Sequence, residues 1–286
     1  MNLLSPTEIK TLLSKYETRP SKGLGQNFLI DKRILEKIIA MSDIAPTDTI
    51  LEVGPGLGTL TQELATRAGR VVAIEKDETM VNILTAVLAD SNVQNVQIVN
   101  ADILHYQLPN TNYKVVANIP YYLTSPLIRK LLESENQPSE IVLMLQKEVA
   151  QRICAKQGKM SILAVSVQFY ADAKIISYVS KNCFWPAPKI DSAIIKIIPK
   201  AQNPKSKTDV GLFFKVVKAG FSQPRKQLAG NLSKILPPKA DQPGAGKIKA
   251  TEWLLANNIK PTQRAETLSV EDWINLTNTL EDVELR

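Results

Sequence analysis

The stretch TILEVGPGLGTLTQELAT, residues 49–66, decides the architecture. TILEVG (49–54) is apolar and β-branched, as a strand covered on both faces must be. Thr59 to Thr66 carries a helical pattern. Between them Gly54, Gly56 and Gly58 allow a sharp turn and a close approach of backbone to a ligand. A glycine turn alone can be purely structural. The next strand, VVAIE (71–75), ends on Glu75, about twenty residues beyond Gly54, where a carboxylate can accept hydrogen bonds from ribose hydroxyls. Glycine turn and acid together favour an adenosine-type cofactor.

The same alternation continues outward. DETMVNILTAVLA (77–89) is an amphipathic helix with Asp77 near its start, and VQIVNAD (96–102) and KVVAN (114–118) are strands. SPLIRKLLES (125–134) reads as a helix capped by Ser125 with Pro126 at its first position. EIVLMLQ (140–146) is a fifth strand, followed by helices at 147–152 and 161–170. KIISYVS (174–180) and DSAIIKIIP (191–199) close the series as a hairpin-like antiparallel pair. The expected fold class is α/β, a Rossmann-like, mostly parallel sheet with an antiparallel hairpin. AQNPKSKTD (201–209) is a polar linker, and the helical patterns beyond it suit a small all-α domain. The expected domains are therefore 1–200 and 209–286. Within the second, PRKQLAGNLSKIL reads as helix and PPKADQPGAG (237–246) as loop.

Composition narrows the function. The chain has 286 residues, 44% hydrophobic and 22% charged, which is globular. No apolar run approaches the ~20 residues a membrane helix needs, and MNLLSPTEIK lacks the pattern of a signal peptide. Two cysteines, Cys154 and Cys183, make neither a disulfide framework nor a four-ligand zinc site, so a reducing, cytoplasmic setting is expected, with no metal. The single histidine, His105, excludes multi-histidine metal chemistry and reads as a solvated loop residue. A net charge of +7 and a pI near 9.2 favour a polyanionic partner.

Later residues choose between NAD and S-adenosylmethionine. Asp102 could accept from an adenine amino group while Ile103 packs on the ring. VVANIPYY (115–122) then ends a strand on an amide, a proline and two rings. Pro120 biases Ile119 to an extended backbone, turning its carbonyl outward. The Asn118 side-chain oxygen, the Ile119 carbonyl and the Tyr121 ring together suit a planar base with an exocyclic amine. Two acceptors on the amine protons localise its lone pair for attack on a sulfonium methyl, work of positioning and electrostatics.

With GQNFLID (25–31), LEVGPGLGTLT (51–61), AIEKD (73–77), NADIL (100–104), VVANIPYYLTSPLI (115–128), MLQKEVAQRI (144–153), FWPAPKIDSAI (184–194) and FSQPRKQLAGNL (221–232) in that order, the chain resembles the bacterial small-subunit ribosomal RNA adenine N6,N6-dimethyltransferases. The resemblance implies seven strands and a helical RNA-binding C-terminal domain. It implies S-adenosylmethionine held by Asn27, Leu29, Gly54, Gly56, Glu75, Asp102, Ile103 and Asn118, with Glu52 fixing the glycine loop. It implies Asn118, Ile119, Pro120, Tyr121 and Phe184 around the target adenine. The implied substrate is two adjacent adenosines in a hairpin loop near the 3′ end of 16S rRNA, in the 30S particle or its precursor, modified by a monomer late in subunit assembly. Ile119, where related sites carry proline, is expected to leave room for the first methyl. Pro224 stands where the family often has an arginine, and no role is assigned to Tyr122. A large-subunit rRNA methyltransferase and a non-catalytic assembly factor of the same fold are the competing readings.

Overall fold

In a computed structural model, residues 1–200, 208–236 and 245–280 are described; most of the expected linker (201–207) and loop (237–244) lies outside them. The chain divides into two compact units, Met1–Gln151 with Asp172–Pro199, and Arg152–Ala171 with Lys200–Arg286.

The first unit opens with α1 (Pro6–Lys15), a two-residue strand β1 (Phe28–Leu29) and α2 (Lys32–Met41), none of which stood out in the sequence. β2 (Thr49–Val53), α3 (Thr59–Ala65), β3 (Arg70–Glu75), α4 (Glu78–Asp90), β4 (Val96–Asn100), β5 (Lys114–Asn118), α5 (Thr124–Glu133) and β6 (Glu140–Gln146) follow the expected alternation. α6 (Lys147–Ile153) and α7 (Ile162–Tyr170) precede β7 (Ala171–Val179), β8 (Phe184–Trp185) and β9 (Ser192–Pro199). The main sheet has seven strands in the order β4-β3-β2-β5-β6-β9-β7. The first five run parallel. β9 is antiparallel to β6, with Gln146 opposite Ser192.

The strand patterns explain this sheet. Ile50, Leu51 and Val53 in β2, and Val71, Val72, Ala73 and Ile74 in β3, are all buried, so both faces are covered. One face receives Leu35, Ile38 and Ile39 of α2 with Leu60 and Leu64 of α3. A second cluster joins Ile9, Leu12 and Leu13 of α1 to Met80, Ile83 and Val87 of α4. Each such side chain contributes roughly 2 kcal/mol by leaving water. At the amino end of β6 the buried Lys196 meets Glu140 at 2.6 Å and Asp43 at 2.8 Å. This pairing ties the sheet to the α2 exit, at the edge opposite the glycine turn.

Two local expectations change. α5 begins at Thr124, entered from a 3-10 turn over Tyr121–Leu123, so Ser125 lies inside the helix and caps nothing. The chain leaves Pro120 already coiled, and the Thr124 hydroxyl donates to the Tyr121 carbonyl at 3.0 Å. The strand read at 174–180 starts three residues earlier, at Ala171.

The second unit contains α7 with α8 (Val210–Gly220), α9 (Leu228–Leu232), α10 (Ala245–Ala256) and α11 (Val270–Asn278). This unit takes in Arg152–Ala171, which the sequence placed in the first domain. The reason is packing: Phe169 of α7 stacks on Phe213 of α8 with centroids 4.1 Å apart. The Gly158 and Met160 N–H groups also both donate to the Glu266 carbonyl. α8 lies so close to α11 that a Cβ on Gly220 would come 2.3 Å from the Trp273 ring. Only Leu228–Leu232 of the basic segment is helical; Pro224, Arg225 and Lys226 form an exposed turn before it. Among the described residues no helix is long and apolar enough to cross a membrane.

Candidate functional site

The carboxyl ends of β2, β3 and β5 meet at one edge, where open α/β sheets bind ligands. There a single cavity is lined by Glu52, Gly54, Gly56, Glu75 and the whole run Asn118–Tyr122. Asn27, Phe28, Leu29 and Phe184 line its other side. Asn27 immediately precedes, and the other three belong to, the β1–β8 ribbon, in which Phe28 pairs with Trp185 and Leu29 with Phe184. Two segments at opposite ends of the first unit thus face the sheet edge together.

The glycine turn follows from close packing. Gly54 and Gly56 have φ of +67° and +55°, which side chains on L residues rarely adopt. A Cβ on Gly54 would lie 3.3 Å from Pro120, and one on Gly56 would lie 3.3 Å from the Phe28 ring. The Pro120 ring therefore rests against the glycine turn and links it to the Asn118 turn.

Glu75 fixes this loop, a task the sequence assigned to Glu52. Its carboxylate accepts from the N–H groups of Gly56 at 3.2 Å, Lys76 at 2.8 Å and Asp77 at 2.9 Å. Burial raises its pKa, and those three donors oppose the rise. Asp77 caps α4 and accepts from the Gln26 amide at 2.9 Å, which holds the loop before β1 over the edge. Glu52 is 1% exposed, and its Oε2 has no hydrogen-bond partner. Burial pushes its carboxyl up to about 8, with nearby Glu75 adding to the rise and Thr61 countering it. The Thr61 hydroxyl closes no hydrogen bond. At neutral pH Glu52 is therefore mostly protonated.

The Asn118–Tyr121 turn is anchored on both sides. Ile119 N–H donates to the Met144 carbonyl of β6 at 3.3 Å, a bond a proline could not make. The Tyr121 hydroxyl lies 2.8 Å from the buried Ser192 Oγ at the start of β9. This fixes the ring, and burial raises the phenol pKa. The Asn118 side chain forms no hydrogen bond among the described residues, leaving its amide open to the cavity. Asp102 and Ile103 do not line the cavity. Asp102 pairs with Lys76 Nζ at 2.9 Å and accepts from Leu104 N–H, and both hold its carboxyl below the usual range. Ile103 is buried beneath it. His105 is exposed in the following turn.

The sequence had not singled out Gln26, Lys76 or Ser192. Gln26 lies within GQNFLID, Lys76 directly follows Glu75 and Ser192 lies within FWPAPKIDSAI, so each carried a positional signal but none a chemical one. Tyr122 also lines the cavity, and it is 55% exposed at the mouth. No group of three or more His, Cys, Asp or Glu among the described residues is placed to hold a metal.

The site fits a nucleoside-bearing methyl donor. The positive-φ glycines make a cradle that a Cβ would fill, Glu75 stands pre-oriented, and the buried Glu52 Oε2 lacks a partner. Comparison with known proteins agrees. Residues 18–282 match the family model described as ribosomal RNA adenine dimethylase. The ribosomal RNA small subunit methyltransferase A of Dehalococcoides mccartyi is 41% identical over 94% of this chain and 91% of its own. That of Geobacillus kaustophilus is 39% identical over 98% and 97%. The crystal structure of a dimethyladenosine transferase from Plasmodium falciparum superposes with a TM-score of 0.78 at 27% identity, covering 89% of this chain and 98% of that one. The 23S rRNA methyltransferase ErmE gives 0.71 at 26% identity, covering 89% and 100%.

Proposed function

The chain belongs to the ribosomal RNA adenine dimethylase family, and we infer that it transfers methyl groups from S-adenosylmethionine to N6 of adenines in ribosomal RNA. The observation that carries this is the single cavity joining the glycine turn and Glu75 to the Asn118–Tyr121 turn and Phe184. S-adenosylmethionine supplies an electrophilic methyl on its sulfonium. Asn27, Leu29, Glu52, Gly54, Gly56, Glu75 and Asn118 would hold it; Asp102 and Ile103, outside the cavity lining, would meet its adenine end only if the Lys76–Asp102 pair gave way.

The chain's own work is positioning. The N6 lone pair is delocalised into the purine. When the Asn118 oxygen and the Ile119 carbonyl accept hydrogen bonds from the two N6–H groups, the pair localises towards the donor. Tyr121, fixed through Ser192, presents its face to the base, and Phe184 presents a second ring. The amine loses its proton after attack, so no strong base is required. The acids lining the cavity fit that picture: Glu52 is already protonated and Glu75 is engaged by three N–H groups.

The fuller reading is that the substrate is two adjacent adenosines in a hairpin loop near the 3′ end of 16S rRNA. A monomer would dimethylate each in the cytoplasm, on the 30S particle or its precursor, late in subunit assembly. The exposed Arg225, Lys226 and Lys234 of the helical unit would bind phosphates. Relatives named for the small subunit, at 38% identity and above, support 16S over 23S rRNA. The test is methylation of unmethylated 30S particles beside 50S particles and naked 16S rRNA, with digested products identified by mass spectrometry. Dimethyladenosine from 30S particles is expected; product from 50S alone would overturn the small-subunit assignment.

A further inference from the structure

A second cleft opens beside the cavity, on the far side of Ser192. It is lined by Lys147, Gln151, Lys181, Lys189, Ile190 and Asp191, together with Glu148. The two sites share one segment. Phe184 lines the cavity, Lys181 and Lys189 flank it in sequence, and Ser192 holds Tyr121 next to Asp191.

The lysines of this cleft are weakly engaged. Lys147 Nζ reaches Asp191 only at 3.9 Å, with both side chains nearly half exposed. Lys181 and Lys189 are exposed and form no ion pair among the described residues. One Asp191 oxygen is already occupied by the Lys181 N–H at 3.1 Å. Beside them the Tyr178 ring is 51% exposed, with Lys147 Nζ 5.1 Å from its centroid and Gln151 3.4 Å from its hydroxyl. Two exposed, unpaired lysines in the cleft and an open aromatic ring overlain by a third, with Ile190 also exposed, are the makings of a single-stranded nucleic-acid subsite.

Resting on the function proposed above, we propose that this cleft binds the unpaired RNA flanking the target adenosine. Lys147, Lys181 and Lys189 take its phosphates and Tyr178 stacks one of its bases. A base drawn into the cavity must leave its neighbours behind, and a shelf at the other end of the shared segment receives the strand that remains outside.

The test compares Lys181→Gln/Lys189→Gln, Tyr178→Ala and Tyr178→Trp with the unsubstituted chain. KM for unmethylated 30S particles is measured across a salt series, and donor affinity by calorimetry. The double lysine variant should raise KM about tenfold and flatten the log–log salt slope by about 1.4, since each phosphate left without its lysine accounts for roughly 0.7. Tyr178→Ala should raise KM about tenfold with the slope kept, Tyr178→Trp should restore it, and donor affinity should stay within about twofold throughout. Unchanged KM and slope in the double variant would overturn the proposal while leaving the methyl-transfer reading intact. If the unsubstituted chain methylates no rRNA, that reading fails separately. Fluorescence anisotropy with a short single-stranded RNA then decides the cleft: equal binding by the double variant overturns it, weaker binding supports it.

Discussion

The Glu52→Gln substitution puts the electrostatics of the site to a direct test. Glu52 is fully buried, and its carboxyl sits at about 8 against an ordinary value of 4.5. Between those values the folded chain keeps a proton that the unfolded chain releases. Stability from this group is therefore complete below about pH 4.5 and is lost as pH rises through about 8. At about 1.4 kcal/mol per unit, the whole window is worth roughly 5 kcal/mol, and the part from about pH 5 to 8 roughly 4 kcal/mol. Glutamine keeps the shape and removes the titration. Urea unfolding from about pH 5 to 9 should show the unsubstituted chain losing about 4 kcal/mol more than the variant, and the variant should be the more stable at the alkaline end. Glu75, also raised by burial, titrates in both chains, so the difference isolates Glu52. Parallel pH profiles for the two chains would refute the argument.

On the proposed mechanism Asn118→Ala removes one of two acceptors for N6 and should lower methyl transfer about 10²–10³-fold without moving the melting temperature; transfer at the full rate would remove Asn118 from the mechanism. Tyr121→Phe leaves the buried Ser192 hydroxyl without its partner and should cost about 1–2 kcal/mol in thermal unfolding. It should keep transfer within a few fold, whereas Tyr121→Ala should lose most of it; equal loss in both would show that the hydroxyl matters chemically. Gly220→Ala would drive a methyl into the Trp273 ring and should destabilise the helical unit by roughly 2–3 kcal/mol, read by tryptophan fluorescence during urea unfolding. An unchanged midpoint would show that α8 and α11 can part at little cost.

The parallel sheet was legible because each strand is a short apolar run and each helix carries its own period. Gly54, Glu75 and Asn118 could be placed at one edge for the same reason: each ends a strand. What could not be read was pairing across long separations. β1 and β8 are two residues each, too short for any periodicity, and only their pairing brings Leu29 and Phe184 to the cavity. Residues 152–171 look like a continuation of the first domain until Phe213 provides the surface that Phe169 covers. The loop-fixing role expected of Glu52 lies with Glu75 because backbone N–H directions, which no side-chain pattern encodes, all converge on Glu75. Asp102 ends its segment as expected, but Lys76 engages its carboxylate beyond the cavity lining.

The β1–β8 ribbon also sets a clock. Phe28 is made early and Trp185 late, and at about 5–20 residues per second roughly ten to thirty seconds separate them during synthesis. A nascent chain through β6 already has the glycine turn, Glu75 and Asn118, yet lacks Phe184 and the strand that pairs with Leu29. The cavity therefore stays open on its Phe184 side until the last part of the first unit has been made, and its wall is completed late in the life of the chain.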